Sequence, residues 1–370
     1  MSAATLPVTT AGDFYVPAFE LTLRGRPATK GVIRDVVSVS YKDSITDIDS
    51  FEIVINNWDA DTRAFKYSDD TLFDPGTEVE LRMGYRGGST GLDLMITGEI
   101  TSLRPSFPSG GQPTLTIGGL NLLHRFRDEQ RFVAYTDKTD SEIAVIIGQR
   151  LGARVRTDPL HEPRHKYLLQ DAFDVAFLMT RARANGYDLF VEEPAGGGPR
   201  LYFGPSTGVR RPTYELVYGR SLIEFQPELT TAGQVGEVVV RGWDPVQKKK
   251  IEYRAKLPEL ETRGLGAGDT ANVEKSFAKR KEVVADRVVD SLAEARQLAV
   301  EILQQIAKGL VKATGSTVGL PRLRAGSVLE VGGLGSRFAG RYFVTDTTHA
   351  IGDSGYTTQF GCRREEVKGS

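Results

Sequence analysis

Apolar and polar residues alternate through the first 120 positions of this 370-residue chain: Val37, Val39 and Tyr41, then Phe51, Ile53 and Ile55, then Val79, Leu81, Met83 and Tyr85, then Leu115 and Ile117. A period of two sends one side of each segment into a core and the other into water, which predicts half-buried strands. Asp74-Pro75-Gly76 and Gly87-Gly88-Ser89 supply turns around one of them. Short strands at this spacing predict a sandwich or barrel, the arrangements that protect sheet edges.

From about 136 to 190 the period becomes helical. Thr139 and Glu142 form a capping box ahead of Ile143, Ile146, Ile147 and Leu151, and Gly152 ends that helix. A second helix carries Phe173, Ala176, Phe177 and Met179, with Asp171 as its cap and Asn185-Gly186 as its left-handed stop. Tyr187 to Val191 and Leu201 to Phe203 then flank Pro194 to Pro199 as a hairpin with a Gly-rich tip. Strand character returns at Glu237 to Trp243, and Glu261 to Asp269 is polar and Gly-rich, the composition of a mobile loop. Ser291 and Glu294 open a last helix whose stripe runs from Leu292 to Leu310, before strands at 328–331, 342–345 and 356–360.

An internal echo organises these elements. Pro75-Gly76-Thr77-Glu78-Val79-Glu80-Leu81 matches Ala325-Gly326-Ser327-Val328-Leu329-Glu330-Val331. Downstream, Thr97-Gly98-Glu99-Ile100 answers Ala339-Gly340-Arg341-Tyr342, and Thr114 to Gly118 answers Thr357 to Gly361. The expected fold class is mainly β with an α+β insert: two similar antiparallel β-barrels in tandem, a small α/β domain and one long helix. The expected domains are 1–125, a first barrel with return strands at about 210–245; 126–209, the insert; and 246–370, a second barrel with a helix over 291–312. Gly76 and Gly326 turn the chain, Glu80 and Glu330 hold matching strand positions, and Gly98 and Gly340 permit bends or close approach in the barrel wall.

Lys and Arg number 47 against 48 Asp and Glu, so no global positive field attracts a polyanion, and nucleic acid is not an expected partner. The single cysteine, Cys362, closes no intramolecular disulfide and builds no cysteine zinc site. This usage fits a reducing folding compartment. No run approaches the roughly 18 apolar residues of a membrane span, and Met1 to Thr10 lacks a signal-peptide pattern, so synthesis in the cytoplasm without a signal peptide is expected.

Candidate chemistry fails on its context. His161-Glu162-Pro163-Arg164-His165 has the H-E-x-x-H spacing of a zinc helix, but Pro163 and Pro159 disfavour the helix that would put both imidazoles on one face. Gly87 to Gly91 and Gly204 to Gly208 fit G-x-S-x-G, yet neither leads into the helix a nucleophile elbow needs. Ser354 near His349 lies in a turn between strands. Gly332-Gly333-Leu334-Gly335 precedes a strand, so it lacks the helix terminus of a phosphate cradle, and Lys248 to Lys250 is a short basic run diluted by Asp244 and Glu252. No catalytic residue, metal or cofactor is expected.

Several segments, in order, resemble one family, the phage late control D proteins and the hub half of VgrG-type spike proteins. They are Met95 to Ile100; Gly118-Gly119-Leu120-Asn121-Leu122-Leu123-His124; Tyr135 to Ala144; Phe177 to Phe190; Val239-Val240-Arg241-Gly242-Trp243-Asp244; Ala293-Glu294-Ala295; and Phe338 to Thr345 before His349. The resemblance implies a baseplate hub of a contractile injection machine, a component of a phage tail or tail-like particle. It implies a homotrimer that adapts a hexameric inner tube protein to a trimeric spike, with baseplate wedge proteins around it. Two barrels per chain give the physical reason, since three chains then present six related barrels. Because few residues follow Glu366, the spike is expected to be a separate polypeptide. The competing expectations are a cell-wall or peptide hydrolase, from the 161–165 motif, and a peptidoglycan-binding tail protein, from the loose likeness of Thr136 to Gly152 to a LysM helix.

Overall fold

In the computed structural model the described residues are 5–7, 16–87, 91–121, 123–124, 129–159, 162, 164–192, 200–208, 213–244, 247–260, 262–264, 273–285, 289 and 291–367. The protein is mainly β. Its first unit consists of strands β1 (Val16–Leu23), β2 (Val36–Ser44), β3 (Ser50–Asn56), β4 (Glu78–Arg86), β5 (Asp93–Ser106) and β6 (Thr114–Asn121). They pair in the order β1-β4-β5-β6-β3-β2, every pair antiparallel. The inward phase of the alternation builds the core: Ile53, Ile55, Val79, Leu81, Met83, Leu115 and Ile117 are fully buried.

The insert begins with β7 (Gln130–Tyr135), α1 (Asp140–Arg150) and β8 (Arg154–Thr157). It continues with β9 (Leu168–Phe173), α2 (Asp174–Ala184), β10 (Asp188–Glu192) and β11 (Arg200–Gly204). Thr139 and Glu142 make both bonds of the capping box at α1. Asp171 does not cap α2: it lies in β9 opposite Phe132, and Phe173 holds the cap position without a side-chain bond. β10 and β11 form the expected antiparallel pair, while the tip 193–199 lies outside the described residues. Ile143, Ile147, Leu178, Leu189 and Phe203 close a core of the insert's own.

The chain then makes β12 (Thr213–Val217) and β13 (Leu222–Leu229), a small sheet of β14 (Glu237–Asp244), β15 (Lys249–Lys256) and β16 (Lys281–Val284), and α3 (Leu292–Ala307). It finishes the second unit with β17 (Val311–Val318), β18 (Val328–Gly332), β19 (Gly340–Gly352) and β20 (Gly355–Arg364). This unit pairs as β12-β18-β19-β20-β17-β13.

The structure departs from three expectations. The strands expected to return from about 210–245 to the first barrel do not: β12 and β13 pair with β18 and β17 of the second unit, because their apolar residues Tyr214, Leu216 and Leu222 fill its core. Residues 237–244, 249–256 and 281–284 form a separate three-stranded sheet, covered by Ala295, Ala299 and Leu303 of α3. The helix expected over 291–312 ends at Ala307, since Lys308 and Gly309 turn the chain and hand Leu310 and Val311 to the second barrel's core.

Candidate functional site

The two units share one strand plan. Numbering each unit's strands one to six in chain order, both pair as 1-4-5-6-3-2. They differ in that β1 meets β4 antiparallel, whereas β12 meets β18 parallel. The entry turns agree atom for atom: Gly76 (φ +88°) and Gly326 (φ +86°) are both left-handed and donate to Ile100 O and Val344 O, each at 2.8 Å. Ile100 and Val344 donate in return to Thr77 O and Ser327 O, both at 2.9 Å. A residue other than glycine would be strained at either turn.

That hydrogen-bond frame makes Ile100 equivalent to Val344, which moves one expected match. Gly98 corresponds to Tyr342, and Gly340 corresponds to Ile96, so the two glycines are two residues out of register. Their reasons differ accordingly. A Cβ on Gly98 would lie 2.5 Å from Leu120 O, while Gly340 has φ +137° and Glu366 and Arg364 against it. Glu80 and Glu330 do occupy equivalent rungs, opposite Thr97 and Arg341. Glu80 pairs with half-buried Arg82 at 2.7 Å. Glu330 also stands opposite Glu215, and burial, then Glu366 and Glu215, raise its carboxyl above the usual range against the pull of Arg341.

Two β-bulges recur at equivalent places. Thr101 is the extra residue of β5 and Thr345 that of β19, each followed by a residue opposite a glycine, Gly118 or Gly361. A Cβ there would collide with Ser102 Oγ at 2.6 Å or Asp346 Oδ2 at 2.3 Å, so both glycines make room for the side chain that the bulge re-aims. The second pair of bulges leaves Val37 on β2 and Ile223 on β13 as the extra residues, 47% and 60% exposed.

The units join where β19 pairs antiparallel with β2, from Asp346 opposite Ser44 to Ile351 opposite Val39; with the short strands Thr5–Pro7, parallel to β12, and Arg26–Pro27, beside β1, the twelve strands become one 14-stranded sheet. Buried Asp43 accepts from Ala325 N at 3.1 Å and from the Thr347 hydroxyl. The Arg324 guanidinium lies 4.5 Å from the Tyr41 ring centroid and donates to Leu94 O and Met95 O. His349, fully buried, faces Tyr41. Its Nε2 donates to Leu323 O at 2.9 Å and its Nδ1 accepts from Tyr356 at 3.0 Å. Burial, then nearby Arg324, hold the imidazole well below its ordinary pKa. Asp43, Arg324 and Thr347 escaped the sequence reading, although Asp43 continues the inward phase of Val39 and Tyr41, which was the available signal.

The chemistry-like motifs serve packing. Glu162 accepts from Ser141 N at 2.8 Å and from its hydroxyl, at the start of α1. His165 Nε2 sits 3.2 Å from Asp140, which also takes Arg181 Nε at 2.6 Å and Asn185 Nδ2 at 2.6 Å. Burial would raise the Asp140 carboxyl, yet these bonds bring it down to about 2. His161 and Pro163 lie outside the described residues, as do Gly88, Ser89 and Thr90 of the first G-x-S-x-G. Ser206 of the second is buried and donates to Glu365 at 2.7 Å. Among the described residues no three His, Cys, Asp or Glu side chains are grouped to hold a metal ion, and no helix is long and apolar enough to cross a membrane.

Residues 18–353 match the family model described as the Alg8 N-terminal domain. The chain belongs to this family. No curated protein matches this family member in sequence. Solved structures do match its fold. The 43 kDa tail protein of prophage MuSo2 from Shewanella oneidensis aligns at TM-score 0.68 and 12% identity, over 94% of this chain and 98% of that one. A tail protein from Neisseria meningitidis MC58 aligns at 0.65 and 16%, over 95% and 97%. The E. coli c3393 protein, described as a type VI secretion component similar to the T4 tail proteins gp27 and gp5, aligns at 0.57 and 10%, over 93% and 76%. At such identities the likeness is one of fold.

Proposed function

We propose that the chain is a structural baseplate hub of a contractile, tail-like injection machine, of the late control D and VgrG-hub kind. It acts as a homotrimer between the hexameric inner tube and a trimeric spike, with wedge proteins outside. The observation that carries this reading is the repeat of a six-stranded plan, bulges included, twice in one continuous sheet. Three copies present six related units, so a sixfold tube end meets the same kind of surface six times while the spike sees a threefold one. Val37 and Ile223, exposed at equivalent bulges, give six aliphatic contacts per ring. The fold shared with tail proteins supports the same placement, in the baseplate of a phage tail or tail-like particle.

We divide the chain for this purpose into a first barrel, an α/β insert, a second barrel that includes 213–229, and a three-stranded sheet with α3. A hydrolase reading gains nothing from the 161–165 segment, whose described side chains cap and clamp α1. The test is mass and symmetry. Light scattering of the purified chain and averaged particle images are expected to give three copies with threefold symmetry, and a monomer that never joins tube ends would sink the hub reading.

A further inference from the structure

The internal junction leaves one equivalent edge open on each unit. β19 has β5 as its counterpart in unit one, with Ser102 in the place of Asp346. β2 has β13 as its counterpart in unit two, where the bulges and the Ile53 and Gly315 rungs set Phe225 in the place of Val39 and Thr230 in the place of Ser44. Beyond Ile100, β5 pairs only with β6, and β13 pairs only with β17, among the described strands. Each therefore shows solvent a row of backbone groups, which a strand of another molecule can complete.

We propose that β5 of one copy pairs antiparallel with β13 of the next, in the register the internal β19–β2 ladder dictates. This rests on the trimeric hub reading and assigns its subunit junction. Ser102 then stands opposite Thr230, Leu103 opposite Leu229, and Arg104 opposite Glu228. Side-chain phase agrees with that register: Leu103 and Leu229 both pack against their own barrel cores, while Arg104 and Glu228 both point outward and carry opposite charge. Arg104, already paired with exposed Glu52, gains Glu228 as a second carboxylate. The backbone pattern extends too, since Ile45 N donates to Thr345 O at 2.9 Å inside the chain, and Thr231 N has the matching place opposite Thr101 O.

The prolines explain why a second copy is the occupant. Pro105 on β5 and Pro227 on β13 each remove a donor from an open edge, which guards it against indiscriminate pairing. In the dictated register they fall on one rung, whereas any other register spoils two. The pair of edges thus selects its partner and its alignment together. Around a trimer, three internal β19–β2 ladders alternate with three β5–β13 ladders, and no edge of this class is left over.

The test uses the full chain with Ser102→Cys and Thr230→Cys, because directly opposed residues have the Cβ spacing a disulfide needs. Under mild oxidation, covalent trimers are expected, at least tenfold more than with the shifted pair Ser102→Cys and Glu228→Cys. R104E and E228R are each expected to lower the trimer fraction several-fold at a fixed concentration, and the double exchange to restore it. Trimers by light scattering that give neither cross-link nor charge rescue overturn this junction and leave the hub reading standing. A monomer at every concentration overturns both.

Discussion

Gly119 shows how tightly single positions bind this sheet. A Cβ there would meet the Phe51 ring at 2.2 Å and Glu99 O at 2.6 Å, and neither a packed ring nor a ladder carbonyl can retreat. Gly119→Ala is expected to cost about 1–3 kcal/mol by overpacking. Gly110→Ala, with nothing within 4 Å of its Cβ, is expected to stay within about 0.5 kcal/mol. Urea unfolding of the two variants makes the comparison. His349 supplies a pH signature. Its folded pKa is depressed, so below the ordinary histidine value near 6.5 the unfolded chain binds the proton and the folded chain does not. Stability from this group is complete above that pH and falls as the medium acidifies, by at most about 1.4 kcal/mol per pH unit. Unfolding free energies measured between pH 7 and 5 are expected to show a steeper decline in the parent than in His349→Gln.

At the scale of elements, charge fixes the insert to the second barrel. Arg363 on β20 is buried between Glu365, at 2.6 Å, and Asp188 of β10, at 3.3 Å, with Ser206 bonded to the same Glu365. Burial would raise the Glu365 carboxyl, but Arg363 first and Lys308 next hold it below the usual range. Arg363→Met removes the guanidinium buried between Asp188 and Glu365 and is expected to cost about 3–5 kcal/mol. An unfolding free energy, from denaturant titration, lowered by much less than that would mean the insert docks by apolar contact. The insert's elements were legible in sequence, through the Thr139 capping box and the Asn185-Gly186 stop. The end of α3 was not, because its apolar stripe runs on into Leu310 and only the barrel core decides that Leu310 leaves the helix.

At the scale of the whole molecule, the barrels share packing across their junction. Ile351 and Tyr356, at the tip of the β19–β20 hairpin, sit in the first unit's core, and the Tyr85 hydroxyl donates to Gly319 O at 3.0 Å from the other side. Calorimetry is therefore expected to show the two barrels melting in a single transition. Tyr356→Ala, which removes a buried ring from that shared core, is expected to cost about 3–5 kcal/mol and to separate the transition into two. A parent that already melts in two well-spaced steps would refute this coupling.

Alternation, turn residues and the echo between 75–81 and 325–331 determined the class of fold and the presence of a repeat, because periodicity and turn chemistry are local properties of the chain. Which strands joined which barrel, the two-residue offset of Gly340 from Gly98, the recurring bulges and the bonds that Asp43 and Arg324 each make across the junction were decided only in three dimensions. Strand pairing joins residues hundreds of positions apart, and each core accepts whichever apolar edge fills it best, a choice no short window of sequence contains.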